Sequence, residues 1–187
     1  SVAISDGEEI LCLCEEVSEN YKQSESLHTF VEWALEGAEI SLKDIEAVSL
    51  GKGPGSYTGL RIGAASAKGF CYGLKVPLIA VNSLETMIEP FLGQNYDVII
   101  PLIDARRMEV YCAVFDGNSG EMLTETEAKI LDEQSFKELE GKKILFVGDG
   151  AKKAQEILQI SGADFNKNVY PSAKYLIKKS VEKFNRQ

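Results

Sequence analysis

The chain has 187 residues, of which 44% are hydrophobic and 26% charged, a composition typical of a globular protein that can bury a core. Its net charge of −9 disfavours direct binding of nucleic acid, because contacts of Lys and Arg with phosphate supply most of the non-specific affinity. No apolar run approaches the roughly 20 residues that cross a bilayer, so no membrane contact is expected.

The first half of the sequence predicts strands and helices in alternation. Residues 1–5 and 9–17 flank an Asp-Gly turn, which predicts a β-hairpin. The elements predicted after it are a helix at 25–37, a strand at 45–50, a helix ending near 72, a strand at 76–81 and a helix at 84–92.

The second half repeats the pattern of strands followed by a strand–turn–helix unit. The predicted strands are 98–103, 110–115, 121–130 and 143–147, and the predicted helices are 136–139, 151–160 and 172–184. Two related mixed α/β lobes are therefore expected, covering residues 1–95 and 96–187. We expect the C-terminal helix to return to the first lobe.

A glycine-rich turn leads from the strand at 45–50 into the next helix. Such a turn can bind phosphate, because free N–H groups and the helix dipole face the anion. The turn fits neither GxxxxGKS/T nor GxGxxG, and Pro54 lacks an N–H group, so the residues alone favour a structural turn. Its sequence is Gly51-Lys52-Gly53-Pro54-Gly55-Ser56-Tyr57-Thr58-Gly59.

The helix after this turn is made largely of small residues. Gly59, Gly63, Ser66 or Ala67, and Phe70 recur at helical spacing. Small side chains let another backbone approach closely, and that backbone belongs either to the protein's own sheet or to a partner helix. The residues leave both possibilities open, and an exposed apolar patch would favour the partner.

Two charged turns follow predicted strands, at Asp104-Ala105-Arg106-Arg107-Met108-Glu109 and at Gly148-Asp149-Gly150. Each is either an anion-binding turn or a solvated structural turn, and the structural turn is the commoner case. His28 is the only histidine, and the chain contains neither GxSxG nor HExxH. With neither motif present, the chain is not expected to be an enzyme. The four cysteines include no CxxC pair, so we expect reduced thiols, as in a cytoplasmic protein.

Five segments occur along the chain in an order typical of one family. They are Gly53-Pro54-Gly55-Ser56-Tyr57-Thr58-Gly59-Leu60-Arg61-Ile62-Gly63, Ala67-Lys68-Gly69, Val81-Asn82-Ser83-Leu84-Glu85, Asp104-Ala105-Arg106-Arg107-Met108-Glu109-Val110-Tyr111 and Gly148-Asp149-Gly150. Together they resemble the TsaB (YeaZ) branch of the TsaD/Kae1 family. The resemblance implies the two-lobed α/β fold of actin-like ATPases (sugar kinases, Hsp70 and actin; ribonuclease H-like).

The resemblance also implies a role in threonylcarbamoyl-adenosine modification of transfer RNA, next to the anticodon. The chain would be a non-catalytic subunit that binds and activates a TsaD-type transferase, joined by a TsaE-type ATPase. Transfer RNA would be reached only through the complex. No cofactor is implied for the chain itself, and ATP is expected only within the complex.

Two departures from the family pattern qualify this expectation. The catalytic relatives carry a metal-binding His-x-x-x-His, whose histidine positions fall on Ser83 and Met87 here. A hydroxyl and a thioether replace imidazoles poorly at such a metal, so no metal site is expected. Family members also usually open with a strand ending in an Asp/Glu-Thr-Ser turn, which this sequence does not contain, so the first lobe is expected to lack that strand.

The family's partner surface involves the two helices of the first lobe. The same surface can pair with itself, so we expect a homodimer when the chain is alone. The residues predicted to contact the partner are Leu27, Phe30, Val31, Ala34, Leu60, Gly63, Ala64, Ala67 and Phe70.

Two other functions remain as alternatives. One is a nucleotide-dependent enzyme of the actin-like class, with the turn at 53–59 and Asp149 near a phosphate. The other is a glycoprotease-like peptidase, which the absence of a nucleophile–base pair in the sequence disfavours.

Overall fold

The structure is a computed structural model that describes residues 1–17 and 23–186. In this part of the chain we assign ten strands and five α-helices. The strands are β1 (Val2–Asp6), β2 (Glu9–Cys14), β3 (Val48–Gly51), β4 (Leu78–Val81), β5 (Val98–Asp104), β6 (Glu109–Cys112), β7 (Phe115–Asp116), β8 (Glu127–Ile130), β9 (Ile144–Val147) and β10 (Ala163–Asn166). The helices are α1 (Gln23–Gly37), α2 (Tyr57–Leu74), α3 (Ser83–Ile88), α4 (Ala151–Ile157) and α5 (Ile177–Phe184).

The chain divides into two compact units. The first unit is Ser1–Asn82 together with Ser172–Gln187, and the second is Ser83–Pro171. The boundary predicted after residue 95 is therefore misplaced. The reason is that α3 packs its side chains into an apolar cluster with Ile99 of β5, which assigns this helix to the second unit.

The first unit contains two separate two-stranded sheets among its described residues. β1 and β2 form an antiparallel hairpin, whereas β3 and β4 are parallel. α1 packs on the hairpin, and α2 packs on β3 and β4. α5 also lies against this parallel pair, where the Oγ atoms of Ser49 and Ser180 are 2.6 Å apart. Lys183 Nζ donates a hydrogen bond of 2.9 Å to the Ala80 carbonyl.

The second unit is built on a six-stranded mixed sheet. Its strand order is β10-β9-β5-β6-β8, and β7 pairs with β5 as well. β5 is parallel to β9 and antiparallel to β6. Of the seven residues of β5, all but Asp104 are buried. Buried strands of this kind have both faces of the sheet covered by other elements.

The two faces of β5 contribute to two different apolar clusters. Side chains alternate across a strand, so Val98, Ile100 and Leu102 share one face. This face packs with Ala151 and Ala154 of α4. The other face carries Ile99 and Ile103, which pack with side chains of α3. Burial on both faces therefore fixes where β5 ends, and with it the position of Asp104.

Two differences from the predicted elements lie in the second unit. Residues 121–130 do not form one strand, because only Glu127–Ile130 pairs along β6. The Thr124 hydroxyl instead accepts the Val114 N–H at 2.9 Å. β10 was not predicted, because its sequence Ala-Asp-Phe-Asn is short and half polar.

Cys112 is expected to resist alkylation in the folded protein. Its side chain is buried in the cluster with Val110, and this desolvation raises the pKa of the Cys112 thiol to about 11. At pH 8 about 0.1% of the thiol is then the reactive thiolate. Iodoacetamide labelling followed by peptide mass spectrometry should modify Cys112 only after denaturation. Labelling of Cys112 in native protein as fast as in denatured protein would contradict this burial.

Candidate functional sites

In the first unit, the glycine-rich turn between β3 and α2 is closed by the protein's own groups. The Lys52 N–H donates to the Val81 carbonyl at 2.8 Å, which ties the turn to β4. The Ser56 hydroxyl accepts the Gly59 N–H at 3.4 Å and so caps α2. One of the N–H groups at the helix start is thus satisfied internally. These two bonds hold the turn in place at the start of α2.

α2 exposes a stripe of residues at helical spacing. Arg61, Ala65, Gly69 and Gly73 are exposed and recur every four residues. A Cβ added at Gly69 or Gly73 would meet no atom within 4 Å, and the same holds for half-buried Gly63. The exposed side of α2 therefore leaves room for a second backbone to approach.

The predicted partner residues divide into two groups. Ala34 and Ala67 are 0% and 6% exposed, so they pack inside the first unit and are not open to direct contact. The prediction that they form the contact face is corrected here. Their small side chains let the helices pack on their own strands. The other seven predicted residues are half-buried, namely Leu27, Phe30, Val31, Leu60, Gly63, Ala64 and Phe70.

α1 and α2 contact each other through one polar and one aromatic pair. His28 Nε2 lies 3.4 Å from Ser66 Oγ, a long hydrogen bond. The ring centroids of His28 and Phe70 are 5.9 Å apart. The single histidine therefore joins the two helices.

The largest exposed aromatic side chains of α1 and α2 were not in the predicted partner set. Trp33 is 56% exposed and stacks on Phe30, with ring centroids 5.7 Å apart. Tyr57 is 73% exposed and Tyr72 is 90% exposed. The Arg61 guanidinium lies 5.4 Å from the centroid of the Tyr57 ring. The sequence signal was the three-residue spacing of Phe30 and Trp33. We call the exposed side of α1 and α2 the helix surface, which comprises Trp33, Tyr57, Arg61, Ala65, Gly69, Tyr72 and Gly73 together with the seven half-buried predicted residues.

In the second unit, the two charged turns predicted from the sequence come together. The Asp149 carboxylate accepts the Asp104 N–H at 2.9 Å. β5 and β9 are adjacent parallel strands, so the residues after them meet at one edge of the sheet. The turn between β5 and β6 is therefore anchored to the turn between β9 and α4.

Lys153 of α4 fastens the β5–β6 turn from a second direction. Its Nζ donates to Asp104 Oδ1 at 2.8 Å and to the carbonyls of Arg107 and Glu109 at 2.7 and 3.0 Å. These three bonds use all donors of the ammonium group. The Lys153 side chain is 14% exposed and that of Asp104 41%, so only the lysine end of this ion pair is shielded from solvent.

The backbone of the β5–β6 turn takes an uncommon conformation. Arg106 and Arg107 have φ values of 72° and 49°, which lie in the left-handed region. Non-glycine residues adopt this region at a cost of roughly 1–2 kcal/mol each. The Asp104 carboxylate offsets part of this by accepting the Arg106 N–H at 2.5 Å. Both arginine side chains are consequently held outward and exposed.

The positions aligned with the family's metal-binding histidines lie in α3. Ser83 is 6% exposed, and Met87 is fully buried in the apolar cluster of β5 and α3. Across residues 1–17 and 23–186 no group of three His, Cys, Asp or Glu side chains is placed to hold a metal. None of the helices in this part of the chain is long and apolar enough to span a membrane.

Comparisons with known proteins agree with this architecture. The family described as TsaD, tRNA N6-adenosine threonylcarbamoyltransferase, matches residues 15–184. The tRNA threonylcarbamoyladenosine biosynthesis protein TsaB of Bacillus subtilis is 30% identical over 129 residues, which is 67% of this chain and 56% of that protein. The protein of the same name from Buchnera aphidicola is 31% identical over 170 residues, covering 86% of this chain and 80% of that protein.

Among solved structures, YeaZ from Pseudomonas aeruginosa superposes with a TM-score of 0.73 at 23% identity, over 90% of this chain and 80% of that one. This likeness and the family match confirm the predicted actin-like ATPase fold. The chain spans a little over half the length of the Bacillus relative.

Gly148 is expected to be irreplaceable for packing. It has φ of 114°, and a Cβ there would lie 2.3 Å from the Leu102 carbonyl oxygen. Gly141 has φ of 88° but open space around its Cβ position, so Gly141→Ala measures the backbone cost alone. We expect Gly148→Ala to destabilise the protein by at least about 2 kcal/mol more than Gly141→Ala. Urea unfolding of both variants measures the difference, and equal midpoints would contradict the close packing.

Proposed function

Because the chain belongs to the TsaD family and, within it, to the TsaB (YeaZ) group, we propose that it acts in tRNA threonylcarbamoyladenosine biosynthesis. In this proposal the chain is a non-catalytic subunit that binds and activates a TsaD-type transferase. A TsaE-type ATPase joins the complex. Transfer RNA is held by the complex, in keeping with the net charge of −9.

The observation that carries the proposal is the helix surface. Trp33, Tyr57 and Tyr72 expose large aromatic side chains on it, and Arg61 lies over the Tyr57 ring. Trp, Tyr and Arg supply most of the binding energy in protein interfaces. The small residues of α2 allow a partner helix to approach between these side chains. We therefore assign the TsaD-type partner to this surface, which also serves for homodimerisation when the partner is absent.

The non-catalytic assignment is supported by the chemistry of positions 83 and 87. Met87 fills an apolar cluster, where its thioether contacts hydrophobic side chains. A thioether is a soft ligand and suits neither a hard nor a borderline metal ion. The acyl transfer in this proposal is accordingly carried out by the partner.

The nucleotide-dependent alternative would require Asp149 as a phosphate-site residue. Its carboxylate already accepts the Asp104 N–H, and this bond anchors the β5–β6 turn. The geometry therefore supports a structural role for Asp149 better than a role in nucleotide chemistry.

Bulk on the exposed side of α2 is expected to block the partner without unfolding the chain. Gly63→Leu and Gly69→Leu add side chains into open space, and they remove helix-interior glycines that cost roughly 1 kcal/mol each. The melting temperature should stay the same or rise, while association with a TsaD-type subunit of the same organism is lost. Light-scattering chromatography and calorimetric titration measure association.

The matched controls for this experiment are Gly63→Ala and Gly69→Ala, which change helix propensity with little bulk. Trp33→Ala tests the aromatic part of the surface, and at least about tenfold weaker association is expected. Ala67→Leu is unsuitable because Ala67 is buried, so its effect would report on folding. Wild-type affinity in both leucine variants and in Trp33→Ala would refute the assignment of the helix surface.

A further inference from the structure

We propose that the β5–β6 turn is a second docking site, at which Arg106 and Arg107 bind an acidic segment of a partner protein that also carries an apolar side chain. We call residues 104–109 with Ile130 the arginine turn. It belongs to the second unit, whereas the helix surface belongs to the first. This inference therefore goes beyond the proposed function.

The arginine turn is preorganised for binding. Lys153 and Asp149 hold it by four hydrogen bonds, three of them from Lys153 Nζ and one to Asp149 Oδ1. The left-handed conformation of Arg106 and Arg107 is already formed. A partner that binds a preformed turn does not have to supply the free energy of ordering it.

The two arginines carry charge that no acidic side chain in residues 1–17 and 23–186 pairs with. Neither side chain forms an ion pair among the described residues, and both are exposed. Of the two acidic residues of the turn, Asp104 pairs with Lys153, and Glu109 forms no ion pair with either arginine in the described part of the chain. A guanidinium group binds a carboxylate through two parallel hydrogen bonds, which favours a partner with Asp or Glu side chains.

Apolar side chains beside the arginines favour a protein over a nucleic acid. Met108 is 44% exposed and Ile130 is 71% exposed. They are neighbours, because Ile130 lies opposite Glu109 in the β6–β8 register and the Leu131 N–H donates to the Met108 carbonyl at 2.8 Å. Met and Arg are enriched in protein interfaces. Phosphate groups would make no use of the apolar part of the turn.

The test uses the full chain and a defined probe, the peptide acetyl-Glu-Leu-Glu-Glu-Leu-Glu-amide. Titration monitored by backbone amide NMR should show saturable shifts at residues 104–109 and around Ile130. The double variant R106Q/R107Q should weaken peptide binding at least about tenfold, since both charge-assisted contacts are lost. The control K142Q/K167Q removes the same charge from exposed lysines elsewhere in the second unit and should leave binding unchanged.

Lys153→Met tests the role of the preformed turn. Hydrogen exchange of the Glu109 N–H, which donates to the Arg106 carbonyl at 3.1 Å, reports whether the turn is held. We expect faster exchange together with weaker peptide binding, while both arginines are still present. A neutral peptide with Gln in place of Glu should not bind.

Three results would overturn the inference. They are the absence of saturable shifts with wild-type protein, equal weakening in K142Q/K167Q, and a transfer-RNA transcript binding through Arg106 and Arg107 when the peptide does not. The titration contains no TsaD-type subunit. A failure here is therefore distinct from a failure of the helix surface to bind that subunit.

Discussion

The burial of β5 on both faces is the constraint on which the second unit depends. Because apolar side chains alternate between a cluster with α4 and a cluster with α3, the strand cannot slip by one residue without exchanging its two faces. This fixes Asp104 as the first exposed residue after the buried run. The same strand end then places Asp104 beside Asp149 and Lys153. The geometry of the charged turn is thus a consequence of hydrophobic packing.

Much of this unit could be predicted from the sequence, because its central strands are continuous apolar runs. β5 and β9 fall where runs of Val, Ile, Leu and Phe predict them. β10 could not be predicted in this way, since an edge strand with the sequence Ala-Asp-Phe-Asn has no apolar period. The meeting of Asp104 with Asp149 also required the strand order, which local patterns do not contain.

In α1 and α2, residue spacing alone does not show which face is buried and which is exposed. Spacing identifies which residues of α1 and α2 share a face, but small apolar residues occur on the inward face and on the outward face alike. Ala34 and Ala67 point inward, whereas Ala65 and Gly69 are exposed. Only the packing of the helices on their strands decides between the faces. The 56% exposure of Trp33 could not be predicted from the sequence, because large aromatic side chains are on average well buried.

The core of the second unit also determines what a histidine substitution in α3 would do. The resemblance aligns the metal-binding histidines of the catalytic relatives with Ser83 and Met87, and Met87 lies among buried apolar side chains. Its Cε is so close to Gly148 that a Cβ at that glycine would lie 2.5 Å away. An imidazole at position 87 would bring two polar ring nitrogens into this cluster, and burying a polar group without a hydrogen-bond partner costs several kcal/mol. The packing that holds α3 against β5 and the turn at Gly148 therefore occupies the space that an imidazole at position 87 would need.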